Sequence, residues 1–90
     1  MVLQKYLVEF LGTLFLMYVI FATQNWLAIG FGLAIPVLLG GPVSGGAFNP
    51  AVAISLYAAG KIPKSDLIPY IIVEILGALA AFYLYKNYVK

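Results

Sequence analysis

The stretch from Pro50 to Ala59 is largely apolar, unbroken and only ten residues long, with Asn49 before it and Gly60 after it. Asn is a favoured helix N-cap, Pro suits the first helical position, and Gly suits the position just past the last. The spacing predicts a helix begun by Asn49-Pro50 and ended at Gly60. Ten residues at about 1.5 Å each give about 15 Å, half of the roughly 30 Å hydrocarbon core of a bilayer. Ahead of it runs Gly40-Gly41-Pro42-Val43-Ser44-Gly45-Gly46, which suits irregular backbone because glycine tolerates dihedrals that other residues avoid. A half-length apolar helix entered through such a loop reads as a re-entrant element over about residues 41–60. It dips to the middle of a membrane and returns to the face it left.

Composition places the rest of the chain in the same solvent. Hydrophobic residues make up 64% and charged residues 9% of the 90, against roughly 45–50% and 25% in soluble domains. The formal charge of +2 is too small for a nucleic-acid footprint. Arg, His and Cys are absent, which removes disulfides, thiol chemistry and the commonest metal ligands. The Ser and Thr residues have no His base. An enzyme, a metal site and a cofactor site are not expected.

Three longer apolar runs accompany the half-helix. Residues 6–23 carry a single charge, Glu9, and read as a first span. A signal peptide is the competing reading, disfavoured by that acid, the aromatic load and the spans that follow. Gln24-Asn25-Trp26 reads as a short turn with Trp26 at the interface. A second span, about residues 27–43, contains Gly30, Gly32 and Pro36; Pro36 is expected to kink it, and the glycines to admit another helix closely. After the aqueous loop Lys61-Ile62-Pro63-Lys64, Ser65 or Asp66 is expected to cap a third span, about residues 67–85. Its aromatic and basic end, Tyr83 to Tyr88, suits an interface. The fold expected is an all-α, multi-pass membrane protein of three transmembrane helices plus one re-entrant half-helix, a single unit over residues 1–90.

An internal echo links the first and third spans. Val8-Glu9-Phe10-Leu11-Gly12 and Val73-Glu74-Ile75-Leu76-Gly77 repeat an acid and a glycine three apart, which share one helix face. Counting crossings puts both acids in the half of the membrane that holds the irregular segment. That segment must bury N–H groups at several kcal/mol each if they stay unpaired in hydrocarbon. Carboxylates of Glu9 and Glu74 accepting those N–H groups would solve both problems; relay of protons or cations is the alternative for intramembrane acids.

Gly32-Leu33-Ala34-Ile35 followed by Ser44-Gly45-Gly46-Ala47-Phe48-Asn49-Pro50-Ala51-Val52 resembles the aquaporin (major intrinsic protein) family, whose signature is the Asn49-Pro50-Ala51 triplet. Glu9-x-x-Gly12-Thr13 is similar to the family's first-helix motif. Tyr70-x-x-x-Glu74-x-x-Gly77-Ala78 is similar to its third helix, with Glu where Gln is usual. The resemblance covers nearly all of the chain but only one of the family's two inverted repeats.

The resemblance implies a channel subunit for passive permeation of water or small neutral solutes, among membrane lipids. Asn49, Pro50 and Ala51 would stand at the pore centre and the carbonyls of Gly45, Gly46 and Ala47 along one wall. Phe31, about two residues short of the family's spacing, and Val52, where the second repeat usually has Arg, are the filter candidates. One half-helix cannot enclose a pore, so a second copy inserted antiparallel or a complementary half-channel chain is expected. Side A holds the amino terminus, Lys5, Lys61 and Lys64, and side B holds Lys86 and Lys90, a slight bias that permits either single or dual insertion. The alternative is a structural membrane subunit of a larger assembly that keeps the fold without a working pore; a small lysis pore would have no use for the re-entrant triplet.

Overall fold

The computed structural model describes the backbone of residues 2–89 and the side-chain surroundings of residues 3–88. Lys90 lies outside the described residues. Four α-helices follow one another: α1 (Val2–Thr23), α2 (Trp26–Ser44), α3 (Pro50–Ala58) and α4 (Lys64–Leu84), the last continued by a π-helical turn, Tyr85–Val89. α1, α2 and α4 are long and apolar enough to cross a membrane. The long axis of the molecule, 39 Å, is close to the roughly 40–45 Å of a bilayer with its headgroups.

α1 is the central helix, with α2 and α4 packed along it and α3 resting on α4. The contacts fix the directions. α2 runs antiparallel to α1, because Gly40 meets Val8 near one end and Gly32 meets Val19 near the other. The reversal between them is tight: Gln24 takes a positive φ of 46°, and Asn25 Oδ1 caps α2 by accepting from the N–H groups of Leu27 and Ala28 at 3.1 and 3.0 Å.

α4 runs parallel to α1. Tyr6 packs edge-on against Tyr70, Gly77 lies against the Phe10 carbonyl, and Phe21 packs against Phe82 and Tyr85. A Cβ at Gly77 would stand 2.5 Å from that carbonyl oxygen, so only glycine allows the two backbones this close. With α1 and α4 parallel, α2 must end on the side where α4 begins. The 45–63 connection therefore leaves and returns on one side.

Two local expectations are corrected. The glycine-rich loop does not begin at residue 41. α2 continues through Pro36 and Pro42 to Ser44 and ends at Gly45, whose φ of 92° and N–H bond to the Gly41 carbonyl at 2.8 Å form a left-handed cap. Each proline removes one backbone bond, but packing of this face on α1 outweighs the loss, with Pro36, Gly40 and Ser44 all buried. Nor does Ser65 or Asp66 cap α4. The N-cap is Pro63, which offers no side-chain bond. Asp66, 3% exposed, instead accepts from Lys5 Nζ and Tyr6 Oη, both at 3.0 Å, and ties the first turns of α1 and α4 together.

The core is small, with Ala47, Ala53, Ile62 and Tyr70 at its centre. The outward faces carry large apolar side chains, among them Leu38 and Leu39 at 74% and 72% exposure. Such surface suits lipid rather than water.

Candidate functional site

The site is built where the 45–49 loop turns into α3, at half the height of α1 and α4. Glu9, on α1 and wholly buried, collects three donors. Its Oε2 accepts from Ser44 Oγ at 2.6 Å and from the Ala47 N–H at 3.1 Å, and its Oε1 accepts from the Phe48 N–H at 2.8 Å. Ser44 Oγ in turn accepts from the Gly46 N–H at 3.2 Å, and the Ser44 carbonyl accepts from Tyr70 Oη at 2.6 Å. The loop N–H groups are thus drawn inward, while the carbonyls of Gly45, Gly46 and Ala47 take no part in this network. One carboxylate disposes of donors that would each cost several kcal/mol in hydrocarbon.

Phe48 is the wedge of the site. Its φ of 54° is unusual for a bulky residue and stores about 1–3 kcal/mol of strain. Two features hold it there: the N–H bond to Glu9 and the fit of its ring. The ring fills the notch left by Gly12, where any Cβ would collide with it, and touches the position opposite at Gly40. Gly45 and Gly46 take the other positive φ values of the loop, 92° and 70°, as glycine can at little cost.

Asn49 and Pro50 then start α3 as their types dictate. Asn49 Oδ1 accepts from the Ala51 N–H at 2.8 Å, and Pro50 at the first helical position has no N–H to leave unpaired. The carbonyl of the Asn49 amide is spent on the cap, so its Nδ2 group is the donor that faces outward from an exposed residue. The N-terminus of α3 adds roughly half a positive charge at the same point.

Glu74 differs from its counterpart on α1. It is equally buried, yet neither carboxylate oxygen has a hydrogen-bond partner, and Thr13 Oγ1 beside it has none. Its polar neighbours are the Glu9 carboxylate and the Asn49 backbone N–H, and both act on it electrostatically. Glu9 has taken the N–H groups of Ala47 and Phe48, Pro50 has none and Ala51 gives its own to the cap, which leaves the Asn49 N–H as the loop donor facing Glu74. Of the two acids expected to hold the loop, Glu9 takes Ser44 Oγ and the Ala47 and Phe48 N–H groups, and Glu74 faces the Asn49 N–H.

Glu74, Thr13, Asn49 and Pro50 line a groove of about 300 Å³ between α1 and α4, with apolar walls that include Leu16 and Ile75. A larger hollow of about 420 Å³ between α1 and α2 is lined almost entirely by apolar groups and offers little to recognise a polar solute. The filter candidates are not brought together. Phe31, 57% exposed, borders a shallow hollow with Trp26 and Gly30 near the start of α2, whereas Val52 lies on α3, and α2 and α3 do not pack on each other. Sequence reasoning missed the bonds of Ser44, the wedge of Phe48 and the Lys5–Tyr6–Asp66 cluster. All three pair residues far apart in the chain, and only the Gly12 notch left a trace in the E-x-x-G spacing.

Comparison with known proteins agrees with this architecture. The family model for the major intrinsic protein matches residues 23–90. The chain is 44% identical to the glycerol uptake facilitator protein-like 6 of Lactiplantibacillus plantarum, over 98% of this chain and 45% of that protein. It is 39% identical to aquaporin Z of Brucella melitensis, over 88% of this chain and 41% of the relative, and 43% identical to aquaglyceroporin-2 of Rhizophagus irregularis, over 74% and 23%. The chain therefore spans less than half the length of the curated relatives it matches. No solved structure matches it. Members of the matched family are integral membrane channels and not enzymes, and on a family match covering more than half of its residues this chain belongs to the major intrinsic protein family.

Proposed function

We propose that the chain is one half of a channel for passive permeation of water or small neutral solutes, completed by a second half that closes the pore. The observation that carries this reading is the exposed Asn49 amide at the head of α3, held at mid-height by the Glu9 network. A donor fixed there meets the oxygen of a passing solute. The carbonyls of Gly45, Gly46 and Ala47 supply acceptors toward one side, and apolar walls supply little to hold the solute back. Selective passage needs this balance of binding and release.

The second half is an antiparallel copy, a partner chain or further residues of a longer polypeptide. Its half-helix would run toward side B, where Phe31 lies, so Phe31 would face the partner's equivalent of Val52 rather than its own. A filter of Phe and Val is wider and less polar than one with Arg.

Stopped-flow light scattering on proteoliposomes tests the reading. Shrinkage faster than that of empty vesicles, lost when Asn49→Phe blocks the position, is the expected result. Shrinkage equal to empty vesicles, with the protein folded and inserted, would leave the structural-subunit reading in its place. Crosslinks between single cysteines placed at residues 31 and 52 of different copies would identify the antiparallel pair.

A further inference from the structure

Glu9 holds the Asn49 turn from α1, and Tyr70 holds it from α4. The buried face of α4 carries Asp66, Tyr70, Glu74, Gly77 and Ala81, each about one turn from the next. Tyr70 is 1% exposed and gives its hydroxyl to the Ser44 carbonyl at 2.6 Å. Ser44 is the last residue of α2, so its carbonyl has no partner within that helix. Its Oγ donates to Glu9 at 2.6 Å and accepts from the Gly46 N–H at 3.2 Å. Ser44 is thereby fixed from α1 through its side chain and from α4 through its backbone, and the turn that leads to Asn49 leaves from it.

The ring of Tyr70 adds a second hold. It lies in one buried cluster with Ala47, Ala53 and Ile62. Ala47 stands two residues before Asn49 and Ala53 four after it, so the cluster grips the chain on both sides of the cap. The ring is backed in turn by Tyr6, whose centroid lies 5.9 Å away at an interplanar angle of 87° and whose hydroxyl is tied to Asp66 Oδ1 at 3.0 Å. The turn needs such backing. Phe48 keeps a φ of 54°, a conformation that persists only where the surroundings over-determine it. Tyr70 is not among the residues lining the groove beside Asn49, so its influence on a solute there passes through Asn49.

We propose that Tyr70 is a positioning residue for the Asn49 amide donor: its hydroxyl and ring fix the turn from α4, and Tyr6 fixes the ring from side A. The effect on flux rests on the channel reading, whereas the effect on the turn is independent of it. Tyr70→Phe keeps the ring and removes only the hydroxyl. That change leaves the Ser44 carbonyl unpaired and releases the turn from its strained geometry. The Asn49 Nδ2 group then no longer stands at one place. Passage changes in kind as well as in amount, because solutes of different size depend differently on where the donor sits.

Two measurements on the full chain in proteoliposomes test this. Amide hydrogen exchange reads the turn. In Tyr70→Phe the exchange of the Gly46, Ala47 and Phe48 N–H groups is expected to rise about fivefold, the effect of one lost hydrogen bond, while the middles of α1 and α4 keep their native rates. No rise in the turn, or an equal rise along both helices, overturns the proposal. Stopped-flow light scattering then gives the ratio of urea to water permeability. A purely structural loss lowers both fluxes together and leaves the ratio unchanged, whereas a misplaced donor shifts it. The expected result is a ratio outside the spread of native preparations in Tyr70→Phe, a smaller shift in the same direction in Tyr6→Phe, and none in Tyr83→Phe, whose ring is exposed on α4. An unchanged ratio in Tyr70→Phe overturns the proposal. A native chain that passes nothing more than empty vesicles overturns the channel reading alone, and the exchange rates then decide the positioning role. Should Tyr70→Phe fail to insert, Tyr6→Phe is judged by the same two measurements and the same criteria.

Discussion

The backbone N–H of Phe48 lies 2.8 Å from Glu9 Oε1, and the ring of the same Phe48 fills the space left by Gly12, three residues further along the helix that carries Glu9. One face of α1 therefore supplies both the acceptor and the socket that hold a strained turn at mid-height. The position of Asn49 and the start of α3 depend on that double hold.

Removing the acceptor should loosen the turn. Glu9→Gln replaces one carboxylate oxygen with a donor and sets it against at least one loop N–H. The expected loss is about 1–3 kcal/mol for a buried donor left without a partner, read as a lower unfolding midpoint in detergent. Water permeability should fall with it, because Asn49 is no longer fixed.

The glycines should respond according to what faces them. Gly77→Ala puts a Cβ 2.5 Å from the Phe10 carbonyl and must push α4 off α1, and Gly12→Ala collides with the Phe48 ring. Each should destabilise by about 1–3 kcal/mol, as overpacking does. Gly30 faces nothing within 4 Å, so Gly30→Ala should be neutral or stabilise by up to about 1 kcal/mol through helix propensity. Thermal melts of the three variants in one detergent would show whether this order holds.

Asn49 has two roles that substitutions can separate. Asn49→Ala removes both the cap and the donor, costing about 1 kcal/mol of stability along with permeability. Asn49→Asp keeps an acceptor for the Ala51 N–H but removes the Nδ2 donor. Stability near native with reduced water flux is the expected outcome for Asp; full flux in Asn49→Asp would show that the amide donor is not needed.

The Lys5–Tyr6–Asp66 cluster should act as a clamp between α1 and α4. Asp66 is nearly buried, so Asp66→Leu, which removes the acid but leaves Tyr6 and Lys5 in place, tests the whole cluster. Tyr6→Phe should cost about 1 kcal/mol, the net value of one hydrogen bond. Because Lys5 is 34% exposed, Lys5→Met should cost about 1 kcal/mol or less. A loss from Tyr6→Phe that disappears in the Asp66→Leu background, measured as a double-mutant cycle, would identify Asp66 as the acceptor that matters.

Much of this protein could be read locally. The three spans follow from the length of apolar runs in a chain that is 64% hydrophobic, and the start of α3 follows from Asn49-Pro50, because a cap and its first turn involve neighbours in sequence. The role of Glu9 could be anticipated from a simple demand, that buried N–H groups in hydrocarbon need acceptors. Other features depended on which surfaces meet. α2 runs through Pro36 and Pro42 because its face packs on α1. Asp66 serves α1 rather than its own helix end, because Lys5 and Tyr6 come within 3.0 Å. Glu9 and Glu74 stand in equivalent sequence contexts yet have unequal partners, since α1 meets the Ala47 and Phe48 N–H groups while α4 meets the Asn49 N–H. Sequence by itself determined the elements and the chemistry available at their ends, because both arise from residues close in the chain; tertiary structure alone decided which loop N–H groups each of the two carboxylates would face, because that depends on packing between groups dozens of residues apart.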